Sequence, residues 1–154
     1  MIHRLTTDIW FGNWEAPFEC LGQVGAIINV AHHFTRRRGR GIYWSRLAEV
    51  RHDVLYMRLS RKDRENVDEP YLWALESAKV ISRRLRPGLP ILVHCQMGGH
   101  RGPSAALWLA WTDGHRSWAA FDALHQRALE LVPSLARGRN YYQSLIAYIR
   151  ERTA

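Results

Sequence analysis

The sequence predicts an α/β fold, with short strands alternating with helices and the last helices packed outside the layer, in a single domain over residues 1–154. Three observations predict it. Short apolar runs rich in β-branched residues alternate with longer stretches whose apolar residues recur at helical spacing. The chain has 154 residues, 47% of them apolar and seven of them Trp, which is enough to build a core without disulfides. No internal repeat, low-complexity segment or Pro/Gly-rich linker divides it.

In chain order, Asp8-Ile-Trp-Phe-Gly-Asn predicts a first short strand and a turn. Residues 15–24 follow as an amphipathic helix carrying Phe18, Leu21 and Val24. Ala26-Ile-Ile-Asn-Val-Ala is almost wholly apolar, which suits a strand covered on both faces. An Arg-rich loop around residues 35–41 leads to a further strand over residues 54–59 and a charged loop over residues 60–68. Between Pro70 and Leu85, the residues Tyr71, Ala74, Leu75, Ala78, Ile81 and Leu85 fall at helical spacing, and Pro87-Gly88 ends the helix. Pro90-Ile-Leu-Val-His is a buried strand that runs into Cys95. After Arg101, Pro103 sits where a first-turn proline is tolerated, and residues 105–111 form a buried helix stopped at Asp113-Gly114. Two outer helices close the chain, one marked by Trp118, Phe121, Leu124 and Ala128, the other by Tyr142, Leu145, Ile146 and Ile149.

Composition narrows the setting. The longest apolar run, residues 105–111, is far shorter than the 18 or more residues of a membrane span, and the start lacks the basic head and apolar centre of a secretory leader. A soluble, cytoplasmic protein with no membrane partner is expected. Cys20 and Cys95 are the only cysteines, too few for a disulfide framework and consistent with a reducing compartment. Twenty-two basic against 14 acidic residues give +8, almost all of it from arginine, with Lys62 and Lys79 the only lysines. Such a balance attracts acidic partners, nucleic acid included, but equally reflects the nucleotide composition of a coding sequence.

The chemistry is concentrated in Val93-His94-Cys95-Gln96-Met97-Gly98-Gly99-His100-Arg101-Gly102-Pro103. A thiol stands at the end of a buried strand, two glycines follow, an arginine comes six residues after the thiol, and a helix begins. Five residues between Cys95 and Arg101 can wrap into a ring, and Gly98 and Gly99 tolerate the positive φ such curvature demands. Amides pointing inward then form an anion nest, strengthened by the helix N-terminus, and Arg101 offers a planar two-pronged donor matched to phosphate oxygens. Helix N-termini and neighbouring cations also favour the thiolate form of a cysteine, so a nucleophile at the floor of an anion cradle is expected. A cysteine at a strand end is ordinarily a small core residue. The Cys-x5-Arg frame with its glycines argues against that reading here. Zinc binding by His94, Cys95 and His100 lacks a fourth ligand, and neither lysine completes a nucleotide P-loop. Sulfur transfer of the rhodanese kind uses the same geometry and stays open.

His94-Cys95-x-x-Gly98-x-x-Arg101 resembles the HCxxGxxR signature of cysteine-dependent protein phosphatases, and the rest of the chain looks like their compact dual-specificity branch. The resemblance extends from the opening strand at Asp8-Ile-Trp-Phe-Gly-Asn-Trp to the closing helices over residues 118–149. It implies a central, mostly parallel sheet of four to five strands flanked by helices, and phosphomonoester hydrolysis through a phosphocysteine, with no metal or cofactor, on a phosphorylated protein, phosphotyrosine first. Cys95 would be the nucleophile, with Gln96, Met97, Gly98, Gly99, His100 and Arg101 binding the phosphate. His94 would hold the loop and support the thiolate. The family's proton donor is an Asp on a loop roughly thirty residues before the Cys; Asp63, 32 positions upstream, is the best candidate, with Glu65 and Asp68 as rivals in the same loop. His100 has no family assignment; facing solvent at the pocket rim, its protonated ring could favour acidic substrates. Gly102 departs from the usual Ser or Thr, whose hydroxyl stabilises the departing thiolate, which puts the second step in doubt. Ser104 is expected to point elsewhere. The Arg36-Arg37-Arg38-Gly39-Arg40 loop could clamp an acidic or polyphosphorylated partner, and Cys20 could pair with Cys95 on oxidation, although a buried core thiol fits its helix face better. Relatives of this size also act on RNA 5′ ends or inositol lipids, and Gly102 leaves room for a weakly catalytic phosphate-binding module.

Overall fold

The computed structural model describes residues 1–20, 22–31 and 54–153. Leu21 and the Arg-rich loop at 36–40 fall outside the described residues. Among the described residues, five strands form one sheet: β1 (Ile2–Arg4), β2 (Ile9–Gly12), β3 (Ala26–Asn29), β4 (Leu55–Arg58) and β5 (Ile91–His94), in spatial order β1-β2-β5-β3-β4. The four strands from β2 to β4 pair in parallel. β1 adds antiparallel to β2 and was not legible in Met1-Ile-His-Arg, because three residues with an exposed arginine carry almost no periodic signal.

Strand periodicity sorts the core into two layers. Ile9, Phe11, Ile28, Ile91 and Val93 face one cluster, built with α2 (Glu69–Leu85), α3 (Arg101–Trp111), α4 (Trp118–Leu131) and α5 (Asn140–Thr153). Trp10, Ile27 and Leu92 face the other, under Ala16, Cys20 and Val24. The expected helix over residues 15–24 is shorter than its pattern implies. α1 spans only Ala16–Glu19, and Gly22 at φ 79° turns the chain away from it.

α2 is rotated relative to its sequence pattern. Ile81 and Leu85 are exposed, while Lys79 and Ser82 are buried. Lys79 occupies a core position because its ammonium pairs with Asp113 at 2.8 Å and donates to the Leu109 carbonyl at 3.1 Å, so the charge is satisfied where it is buried. Asp68 caps α2 by accepting from the Tyr71 amide at 2.9 Å. A short 3-10 turn, Pro133–Arg137, joins α4 to α5 and was not anticipated. No helix among the described residues is long and apolar enough to cross a membrane.

Candidate active site

The carboxyl ends of the parallel strands open onto one place, where sites form in sheets of this type. β5 ends at His94, and the chain beyond it is held between its two neighbours: the Cys95 amide donates to the Gly12 carbonyl at the end of β2, and the His94 carbonyl accepts from Val30 just past β3. The loop then curls from Cys95 to Arg101 and enters α3 directly, so the positive end of that helix faces the ring. Gly98 makes the curl possible. Its φ is 79°, and a Cβ there would lie 3.0 Å from the Asn13 amide nitrogen.

Within this ring Cys95 is 3% exposed, and its Sγ accepts a hydrogen bond from the Gly98 amide at 3.2 Å. The thiol forms the floor of a cavity of about 400 Å³ that Asp63, Met97, Gly99, His100, Arg101 and Ser134 also line. The structure therefore brings Cys95, Arg101 and Asp63 together, as well as three of the expected loop residues. Gln96 is not on the wall; its carbonyl accepts from the Trp14 amide, which ties the outside of the loop to the chain after β2. Gly98 lies behind the wall and contributes its N–H.

His94 is fully buried, and its Nδ1 lies 3.1 Å from the Cys95 carbonyl. A carbonyl only accepts, so Nδ1 carries the proton and the ring helps fix the loop's first peptide. Burial holds its pKa down to about 4, so the ring is neutral near pH 7. An unfolded histidine titrates near 6.5, hence acid protonates the unfolded chain before the native one. Stability contributed by neutral His94 is complete above pH 6.5 and is lost as pH falls to about 4, by about 3 kcal/mol in total. Urea denaturation of the wild type and His94→Gln across this window should differ in pH slope; parallel slopes would refute a neutral, buried imidazole.

Asp63 sits in the loop after β4, and tertiary contacts fix that loop. The Asp63 carbonyl accepts from the Tyr141 amide at 3.0 Å, the Ser144 hydroxyl accepts from the Val67 amide, and Arg101 Nη1 donates to the Arg61 carbonyl at 3.0 Å. The rival carboxylates are committed elsewhere. Asp68 caps α2 and lies 3.6 Å from Arg61, and Glu65 accepts from the Lys62 amide on the exposed side of the turn. Asp63 Oδ2 lies 3.2 Å from His100 Nδ1, while Oδ1 is buried with no hydrogen-bond partner among the described residues.

His100 does not face solvent freely. Its ring is stretched between Asp63 and the Ser134 carbonyl, which lies 3.2 Å from Nε2. Ser134 belongs to the unanticipated 3-10 turn, so nothing local in the sequence linked it to Cys95. Ser104 turns its hydroxyl to the His100 carbonyl, away from the thiol. Gly102 packs against the nucleophile: a Cβ there would lie 3.3 Å from both the Cys95 amide nitrogen and Sγ. Cys20 lies in the other core layer, fully buried, and burial pushes its thiol up to about 11. No three His, Cys, Asp or Glu side chains among the described residues come together as a metal site.

The architecture is that of the tyrosine and dual-specificity phosphatases. The chain resembles Tk-PTP in its active form, with a TM-score of 0.68 and 14% identity over 97% of this chain and 94% of that one. It also resembles human DUSP28, with a TM-score of 0.65 and 16% identity over 99% and 92% of the two chains. PTPMT1, solved in complex with PI(5)P, matches with a TM-score of 0.64 and 17% identity over 99% of both chains. No family model and no curated protein matches the sequence.

Proposed function

We propose that this protein is a cysteine-dependent phosphomonoester hydrolase that acts on phosphorylated protein, phosphotyrosine foremost. One observation carries the reading: a buried sulfur that receives an amide hydrogen bond shares one cavity with an arginine and an aspartate. The loop amides and Arg101 bind the phosphate. Cys95 Sγ attacks phosphorus as the P–O bond to the leaving group breaks, and Asp63 gives its proton to the departing oxygen. Water then attacks the phosphocysteine, the Asp63 carboxylate takes a proton from it, and the P–S bond breaks to release phosphate and the thiolate.

Gly102 shapes the second step. No hydroxyl at that position meets Sγ as it departs, so breakdown of the phosphocysteine is the slower step. Rapid mixing with 4-nitrophenyl phosphate should give a burst of about one nitrophenolate per enzyme, followed by a slower steady rate. Gly102→Ser and Gly102→Ala both add the Cβ that crowds Sγ, and only the first adds a hydroxyl. The serine variant should therefore have the faster steady rate of the two and the smaller burst. A wild type with no burst would show that the first step limits. No nitrophenolate release at all would overturn the hydrolase reading: retained phosphopeptide binding would then indicate a binding module, and thiocyanate formed from thiosulfate and cyanide would indicate sulfur transfer. Phosphotyrosine, phosphothreonine, inositol phosphate and triphosphorylated RNA substrates compared side by side decide the substrate class, with the phosphotyrosine peptide expected to be fastest.

A further inference from the structure

We propose that His100 is the positioning residue of the proton donor: it holds Oδ2 of Asp63 and so fixes the carboxyl group in the cavity that also holds Cys95. The proposal rests on the hydrolase reading above and deepens it at the same site. Two loops distant in sequence supply the nucleophile and the acid, and the acid's loop is a turn at the protein surface. Its main chain is anchored through the carbonyls of Asp63 and Arg61. Neither anchor fixes the carboxyl group itself. Among the described residues, the His100 ring makes the one hydrogen bond to that carboxyl.

The ring's partners define what it does. The Ser134 carbonyl only accepts, so Nε2 carries a proton whenever that contact is made. Nδ1 faces Oδ2. Where Nδ1 also carries a proton it donates to Oδ2; where Oδ2 carries the proton, Nδ1 accepts from it while Nε2–H stays on the Ser134 carbonyl. The contact therefore holds the carboxyl in either form, on a side chain that lines the same cavity as Cys95, and it restrains a rotation that would otherwise cost rate. No titratable group other than Asp63 is within hydrogen-bond distance of the ring among the described residues; Cys95 and Arg101 share its cavity, and Ser134 contributes only its carbonyl.

The test uses a series of aryl phosphates whose leaving groups run from an acidic phenol to a tyrosine-like one. An acidic phenolate departs without a proton, whereas a tyrosine-like one needs it, so rate plotted against leaving-group basicity reports the proton donor alone. The wild type should show a shallow dependence. His100→Ala should steepen it, losing about tenfold on the tyrosine-like ester and little on the acidic one. The side-chain nitrogen of asparagine falls where Nδ1 lies, and that of glutamine where Nε2 lies. His100→Asn should therefore restore the shallow dependence, while His100→Gln should stay steep. His100→Ala added to Asp63→Asn should cost nothing more. A loss in His100→Ala that is uniform along the series, or Asn and Gln variants that behave alike, would overturn the proposal, because a purely structural role predicts both. The underlying hydrolase reading fails separately, if Cys95→Ser retains wild-type turnover across the same series.

Discussion

Replacing Cys95 by serine should lower turnover of 4-nitrophenyl phosphate on the order of 10⁶-fold, the size of loss that removing a covalent nucleophile causes in other enzymes. Cys95 is 3% exposed, and the Gly98 N–H is directed at its sulfur. A serine hydroxyl in the same place is far less acidic and remains protonated, so the ring's field has no anion to hold. The rest of the cradle is untouched by the change: the amides, the helix N-terminus and the Arg101 guanidinium stay in place. Cys95→Ser should accordingly keep phosphopeptide binding within a few-fold of wild type while turnover vanishes, a separation that calorimetry and a stopped assay can resolve. Cys20→Ser is the matched control. That thiol lies in the other core layer, with its ionisation pushed up by burial, and its loss should leave kcat unchanged. Residual activity in Cys95→Ser within tenfold of wild type, or a collapse in Cys20→Ser, would remove Cys95 from the mechanism.

Parts of this site were readable in the sequence because the information is local. The ring needs a sharp turn, and Gly98 adopts the positive φ that its place in the Cys-x5-Arg frame implies. The strand before it and the helix after it follow from the apolar runs on either side. Among the three acidic residues of its loop, Asp63 was singled out only through the resemblance, by its distance of 32 positions from Cys95. What separates it from Asp68 and Glu65 is a cap at α2 and a turn contact to the Lys62 amide, neither of which spacing reveals. The place of His100 could not be read from the sequence, because its two partners lie 37 positions before it and 34 after it. The rotation of α2 has the same origin. An apolar count favours Ile81 and Leu85 for the core, but an ion pair with Asp113 carries Lys79 inside instead. Periodicity reports where apolar residues fall, whereas such satisfied polar contacts are decided by elements far away in the chain.

Asp63→Asn should cost roughly 10²–10⁴ in rate on a phosphotyrosine substrate, the usual worth of a well-placed general acid. Tyrosine's hydroxyl has a pKa near 10, so its anion is a poor leaving group and the proton must arrive as the P–O bond breaks. Asparagine preserves the side chain's shape, and the loop's main chain keeps its anchors at Tyr141 and Arg101, so the fold and the cradle should survive. What disappears is the dissociable proton. The penalty should shrink steadily as the leaving group becomes more acidic, approaching wild-type rates for the most acidic phenol, because that departure needs no acid. The neighbouring carboxylates provide the comparison within the same loop. Asp68→Asn retains a good helix cap and Glu65→Gln retains an acceptor for the Lys62 amide, so each should keep kcat within about threefold of wild type. A flat leaving-group response in Asp63→Asn, or a larger loss in either neighbour, would move the acid to another residue, since only a proton donor produces a penalty that scales with the basicity of the oxygen it serves.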